Sequence, residues 1–165
     1  MLYSNRILDP EEKTNAEIVT RNEAFLLSRY LIENIPGFED ARLEQMSTEV
    51  GIRATRNVEG LYVPSRQEVE HGDFPDTVVR PYLNKSLALP YRSLIPQRMS
   101  NLLVAGRCIS ADDAIMGRLR LIPVCSATGE AAGVAASIAV KKEVSAPSVD
   151  VRELQSTLSS QGVRL

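Results

Sequence analysis

The stretch with the clearest chemical potential is Thr128-Gly129-Glu130-Ala131-Ala132-Gly133, at the head of an alanine- and glycine-rich run to Val140. Alanine is the best helix former, and each glycine costs roughly 1 kcal/mol against it. Glycines there make sense if a strand, another helix or a flat cofactor must come close. The alternative is a plain buried helix with Gly133 for clearance. First-turn N–H groups have no partners inside a helix, and the dipole leaves that end partly positive, so an electron-rich oxygen is stabilised there. Arg53 and Arg56 form a second candidate. Three apart on a strand they face opposite sides, so one can meet a ligand carboxylate with its two-pronged guanidinium. Both can equally be solvated or paired with Glu49 and Glu59.

Other chemistries are thinly supplied. Cys108 and Cys125 are the only cysteines, and a redox role needs a partner thiol or surroundings that stabilise a thiolate. Buried, inert cysteines are the other reading. With His71 the only histidine, a histidine-based metal site is excluded within this chain. No Gly-x-Ser-x-Gly elbow supports a hydrolase. The net charge of −2 favours neither nucleic acid nor an anionic membrane. A membrane span is not expected, because the apolar run closes at Lys141-Lys142, short of the ~20 residues needed. Sparse cysteines and the lack of a signal peptide point to a reducing cytoplasm. The length of 165 residues suits one domain or a compact piece of a larger protein.

The elements that must position these residues read as follows. Asp9-Pro10 marks a turn or boundary. Thr14 or Asn15 caps a helix over 14–35, with a stripe of Ile18, Phe25 and Ile32, stopped by Pro36-Gly37. Two or three strands are expected over 41–63. Ser65-Arg66-Gln67-Glu68 reads as a capping box for a turn at 67–70. Pro75, Pro81, Pro90 and Pro96 punctuate a long connection. Tyr91-Arg92-Ser93 reads as a structural turn with polar groups suited to a ligand. Leu102 to Ala105 reads as a strand ended by Gly106, and a helix runs from Gly129 to Val140. Asp150-x-x-Glu153 opens a last helix to Gln161, with Val151, Leu154 and Leu158 at helical spacing and Gly162 at its end. The fold class expected is α/β, as a mixed α+β piece.

Several of these residues carry a resemblance. Pro90 to Ser110 (PYRSLIPQRMSNLLVAGRCIS), Gly117-Arg118-Leu119-Arg120, Pro123, Cys125 and Gly129 to Gly133 (GEAAG) resemble the C-terminal part of the FAD-dependent oxidoreductases, which have a glutathione-reductase-like flavin fold. Gly51 to Val63 (GIRATRNVEGLYV) is similar to the segment before it, and the likeness spans Gly51 to Val163. The resemblance implies FAD as cofactor and hydride or electron transfer with an unknown small-molecule substrate. It implies cofactor contacts from Gly106, Arg107, Arg120, Gly129, Glu130, Ala131, Ala132 and Gly133, with the helix N-terminus at Gly129 beside the flavin's pyrimidine edge. Gly106 would admit backbone close to the cofactor, Arg107 would pair with a phosphate or lie on the surface, and Arg120 would meet an anion or a flavin carbonyl. Arg53, Arg56 and Asp113 are the catalytic candidates. Residues 1–95 would belong to a substrate or cap region, and 96–165 to the FAD-binding domain.

Departures accompany the likeness. Asp113 stands where the family often has histidine, Arg118 where it tends to have serine, and Val124 where it has threonine. No Gly-x-Gly-x-x-Gly nucleotide loop is present, so the N-terminal Rossmann unit that holds the ADP half is lacking. The expectation is a C-terminal portion, inactive alone, whose partner is the missing N-terminal half. Its uncovered surfaces would favour self-association. The competing expectation is a non-catalytic binding or structural module derived from a flavoprotein.

Overall fold

A computed structural model describes residues 9–52, 55–81 and 87–165. It is mostly helical, with one small two-stranded sheet, and folds as two compact units, residues 1–55 and 56–165.

The first unit is built on α1 (Pro10–Asn34). Asp9 is its N-cap, accepting the Glu11 N–H at 2.9 Å, and Pro10 occupies the first turn. Proline has no N–H to lose there and its φ suits a helix. Asp9-Pro10 is therefore the helix start rather than a boundary before it. Thr14, expected as a cap, instead donates its hydroxyl to the Pro10 carbonyl at 2.8 Å. The helix stops at Ile35, and Gly37 follows at a φ of +94°. Segment 46–51 lies along one side of α1: Arg21 Nη2 donates to the Ser47 and Thr48 carbonyls, at 3.3 and 3.0 Å. Of the helix's side chains only Ala16 is buried, and Ile18 and Phe25 are more than half exposed, so the expected stripe is not covered by this unit's own residues.

The strands expected over 41–63 do not form among the described residues. Only an isolated bridge, Gly60 to Pro96, is made there. The apolar positions of that stretch lack alternation, so no face can be buried in a register.

The second unit carries the core. Helix α2 (Arg66–His71) has the capping box expected from its sequence, with Ser65 and Glu68 satisfying each other's backbone N–H groups. Strands β1 (Thr77–Val79) and β2 (Leu89–Pro90) pair antiparallel, with Thr77 opposite Pro90 and Val79 opposite Leu89. A 3-10 turn at Tyr91–Leu94 follows, and the Tyr91 hydroxyl donates to the Ala146 carbonyl at 2.8 Å in the interior. Leu102 to Ala105 is not a strand of a ladder: among the described residues its one backbone-to-backbone bond is Val104 N–H to the Leu94 carbonyl at 2.8 Å, and the Ala105 carbonyl accepts from Cys108 Sγ at 3.3 Å. A strand needs a neighbour paired along its length, and a single such bond does not make a ladder.

Helix α3 (Asp113–Leu119) is capped by Asp112, which accepts the Ala114 N–H at 3.0 Å. Helix α4 (Ile122–Lys142) is the centre of the unit, packing against β1, α3, α5 and the turn at Gly106. It buries Val124, Thr128, Ala131, Ala135 and Ile138 on one face and ends at Glu143, with Lys141 and Lys142 beside the negative end of its dipole. Helix α5 (Val151–Ser160) is capped by Asp150, buries Leu154 and Leu158, and is followed by Gly162 at a φ of +91°, as its sequence pattern predicts.

Two expectations about α4 are corrected. The helix starts at Ile122, not Gly129, because Pro123 is a first-turn residue rather than a breaker before the helix. At 21 residues it is also long and apolar enough to cross a membrane, so the length argument against a span does not hold. One face, with Val124, Thr128, Ala131, Ala135 and Ile138, packs within the unit, and the rest of the helix is not buried by it.

Candidate functional site

The junction between the Gly106 turn and α4 brings Gly106 and Arg107 beside Cys125 and Thr128. Ala105 is fully extended, at φ −142° and ψ 166°, and the chain then reverses into a 3-10 turn, Gly106–Cys108. Gly106 has a φ of +75°, in the left-handed region where glycine is the residue without a steric cost. Its N–H donates to Thr128 Oγ1 of α4 at 2.9 Å, and the same hydroxyl donates to the Cys125 carbonyl at 3.0 Å. A Cβ on Gly106 would lie 3.9 Å from Cys125 Sγ, an ordinary contact, so the backbone angle rather than space requires glycine. Arg107 stands exposed on the turn.

The other end of the turn is tied down by the chain after Arg56. Val58 N–H donates to the Cys108 carbonyl at 2.9 Å, and Asn57 Nδ2 donates to the Ile109 carbonyl at 3.1 Å. Asn57 Nδ2 also stands 3.0 Å from Met116 Sδ of α3. Arg56 is exposed and adjoins this seam. Asp113 is exposed in the first turn of α3, whose cap is Asp112. Arg53 lies outside the described residues.

Arg120 is the C-cap of α3 and directly precedes Leu121, the N-cap of α4. The residue is half-buried, and its Nε is buried with no hydrogen-bond partner among the described residues. A buried donor left unpaired is costly, by about 1–3 kcal/mol, and the buried Ser110 Oγ is likewise without a partner among the described residues. No side chain caps the start of α4 either. Its first-turn N–H groups and the Arg120 guanidinium therefore lie one after the other along the chain.

The Gly129 to Gly133 segment is placed differently from the expectation. Glu130, Ala131 and Ala132 lie two turns inside α4, where their N–H groups serve the helix's own ladder. They cannot act as a helix tip. Ala131 is buried, Ala132 half-buried, and Gly129, Glu130 and Gly133 face outward. Among the described residues nothing lies within 4 Å of a Cβ added at Gly129 or Gly133, so neither glycine clears space for another described part of the chain. Glu130 instead lines a groove of about 360 Å³ with Arg80, Ala127, Gln161 and Arg164, at the small end of ligand-site sizes.

Sequence reasoning named Thr128 at the head of the small-residue run but gave it no role, and it passed over Asn57. A threonine inside an alanine and glycine run was the available signal, since a hydroxyl buried on such a face needs partners. Both cysteines are free thiols, Cys108 exposed and Cys125 half-buried. Among the described residues no group of three or more metal-binding side chains comes together.

A flavin edge offers carbonyl oxygens and takes negative charge when reduced, and the uncapped first turn of α4 and the adjacent Arg120 Nε are donors of the kind such a group accepts from. No curated protein and no solved structure matches the chain. The family model described as FAD dependent oxidoreductase matches residues 1–84 and 81–158, reaching further toward the N-terminus than the resemblance noted from Gly51 onward. The chain belongs to the FAD dependent oxidoreductase family.

Proposed function

We propose that this chain supplies the flavin-edge contacts of an FAD-dependent oxidoreductase acting on a small molecule, and that a nucleotide-binding half completes the cofactor site. The observation that carries the reading is the buried, partnerless Arg120 Nε directly before the uncapped start of α4. When bound, FAD supplies the hydride or electron chemistry, and the protein supplies position and electrostatics.

Each residue then has a task. The free N–H groups of the first turn of α4, at Ile122 and Val124, stabilise negative charge on the ring edge by a few tenths to about 2 kcal/mol. This moves the tip proposed at Gly129 to the helix start. Arg120 donates to a carbonyl or anionic edge. Gly106 keeps side-chain bulk away from the cofactor, and Arg107 pairs with a phosphate or carboxylate. Gly129, Glu130, Ala131, Ala132 and Gly133 form the flank of α4, where the open glycine face lets the missing half or the cofactor approach closely. Arg53 and Arg56 are proposed to hold a substrate carboxylate, and Asp113 to move a proton. Residues 1–95 would serve the substrate and 96–165 the flavin. The free thiols favour a reducing compartment, and hence the cytoplasm.

A second reading has its own support. The amides of residues 130–132 are consumed by α4, as in a helix kept for packing alone. A non-catalytic module derived from a flavoprotein would look this way. The readings separate on flavin content. Joined to an N-terminal Gly-x-Gly-x-x-Gly nucleotide-binding domain, the chain should retain FAD that denaturation releases. A folded, colourless product supports the second reading.

A further inference from the structure

We propose that Thr128 is a positioning residue of the flavin edge, fixing where the Gly106–Cys108 turn stands against α4. The role rests on the flavin-edge reading above, but the clamp itself is read from the chain's own geometry. Thr128 is fully buried, and its one hydroxyl is used in both directions: it accepts the Gly106 N–H at 2.9 Å and donates to the Cys125 carbonyl at 3.0 Å. Donation to a carbonyl three residues back is ordinary for a helical threonine, and orients the oxygen lone pairs outward from the helix. Here they meet the amide of a left-handed glycine from a distant part of the chain.

The turn has few other ties. Ile109 N–H reaches back to the Gly106 carbonyl at 3.5 Å, a long contact, and the Cys108 carbonyl accepts from Val58 at 2.9 Å. Among the described residues the turn itself is hydrogen-bonded to other elements at Gly106, on α4, and at Cys108, on Val58, with Asn57 on the Ile109 carbonyl just after it and Arg107 exposed between the two points. Without the Thr128 hydroxyl the first point is lost, and the position of Arg107 relative to the start of α4 is set only from the Cys108 side. Thr128 and Cys125 stand three apart on one face of the helix, so hydroxyl and thiol together form the seat of the glycine. The hydroxyl captures the Gly106 amide, so the turn offers a ligand the glycine's bare Cα side and the Arg107 guanidinium rather than that N–H.

The test compares amide exchange by NMR in the wild-type chain, Thr128→Ala and Thr128→Ser. Val104 N–H, bonded to the Leu94 carbonyl, is the internal control for general loosening. The expected result is that Thr128→Ala speeds exchange at Gly106 by about tenfold relative to Val104, and Thr128→Ser restores it. Equal protection of Gly106 in all three, or exchange at Gly106 in the wild type as fast as in an unfolded chain, overturns the clamp. The latter holds even if the alanine variant does not fold. FAD added in excess to the same three variants joined to an N-terminal Gly-x-Gly-x-x-Gly nucleotide-binding domain tests the positioning. Shifts at Gly106 and Arg107 in wild type and Thr128→Ser, lost in Thr128→Ala, support it, and equal shifts in all three overturn it. If the clamp is present but FAD moves no resonance even in the wild type, the flavin-edge reading fails while the clamp stands.

Discussion

Arg92 grips Asp76 with two prongs, Nε to Oδ2 at 2.9 Å and Nη2 to Oδ1 at 3.2 Å, while its guanidinium carbon stands 4.5 Å from the centre of the Tyr62 ring. Asp76 is buried, and it also accepts the Arg92 backbone N–H at 3.2 Å. The pair ties the entry to β1 to the turn after β2, which places Leu94 for the Val104 contact and so leads the chain toward Gly106. Asp76→Ala should lower stability by about 1–2 kcal/mol in urea unfolding. A fully buried pair would lose more, but the Arg92 side chain is 45% exposed and recovers water.

Tyr62 and Glu68 form the next part of that network. The Tyr62 hydroxyl donates to Glu68, and this bond, followed by the Ser65 hydroxyl and N–H, holds the Glu68 carboxyl down at about 2. Its unfolded value is 4.5, so the contribution to stability is complete above that pH and is lost as pH falls toward 2. Tyr62→Phe removes the largest cause. Carbon-detected NMR titration should show Glu68 moving up toward its ordinary value, and acid unfolding should begin at higher pH.

Gly129 and Gly133 face open space inside a helix. Alanine at either position should stabilise the isolated chain by roughly 1 kcal/mol in urea unfolding. If the glycines exist for close approach of the cofactor or the nucleotide-binding half, the same substitutions weaken FAD retention in the completed protein. Stabilised variants that retain FAD fully would show that this face is not approached.

Gly106→Ala places a side chain at a φ of +75°, which should destabilise by about 1–2 kcal/mol. Gly106→Asn should cost less, because asparagine tolerates that region better than other residues. Equal losses for the two variants would show that crowding near Cys125 Sγ, rather than backbone angle, sets the requirement.

The parts of the fold legible in the sequence are those with local causes. The Ser65–Glu68 capping box and the Asp150 cap of α5 each need only residues a turn apart, and both form as the pattern predicts. The two proline-led helix starts were obscured because Asp9-Pro10 and Pro123 carry the same residue that ends helices. At Pro123 no polar cap precedes it to resolve the ambiguity. Leu102 to Ala105 has strand-like residues, but pairing is decided by partners far along the chain. At the site, Gly106 was legible as a glycine after an apolar run. Its partner Thr128 was not, because a bond across 22 residues leaves no spacing to read.

The most direct measurement is FAD binding by this chain joined to an N-terminal Gly-x-Gly-x-x-Gly nucleotide-binding domain, followed by flavin fluorescence for wild type and Arg120→Gln. Bound flavin is expected in the wild type, and an affinity at least about tenfold weaker in the variant, the size expected for losing a charge-assisted hydrogen bond. A folded, joined protein that binds no flavin, or an Arg120→Gln variant that binds as tightly as the wild type, would contradict the flavin-edge reading.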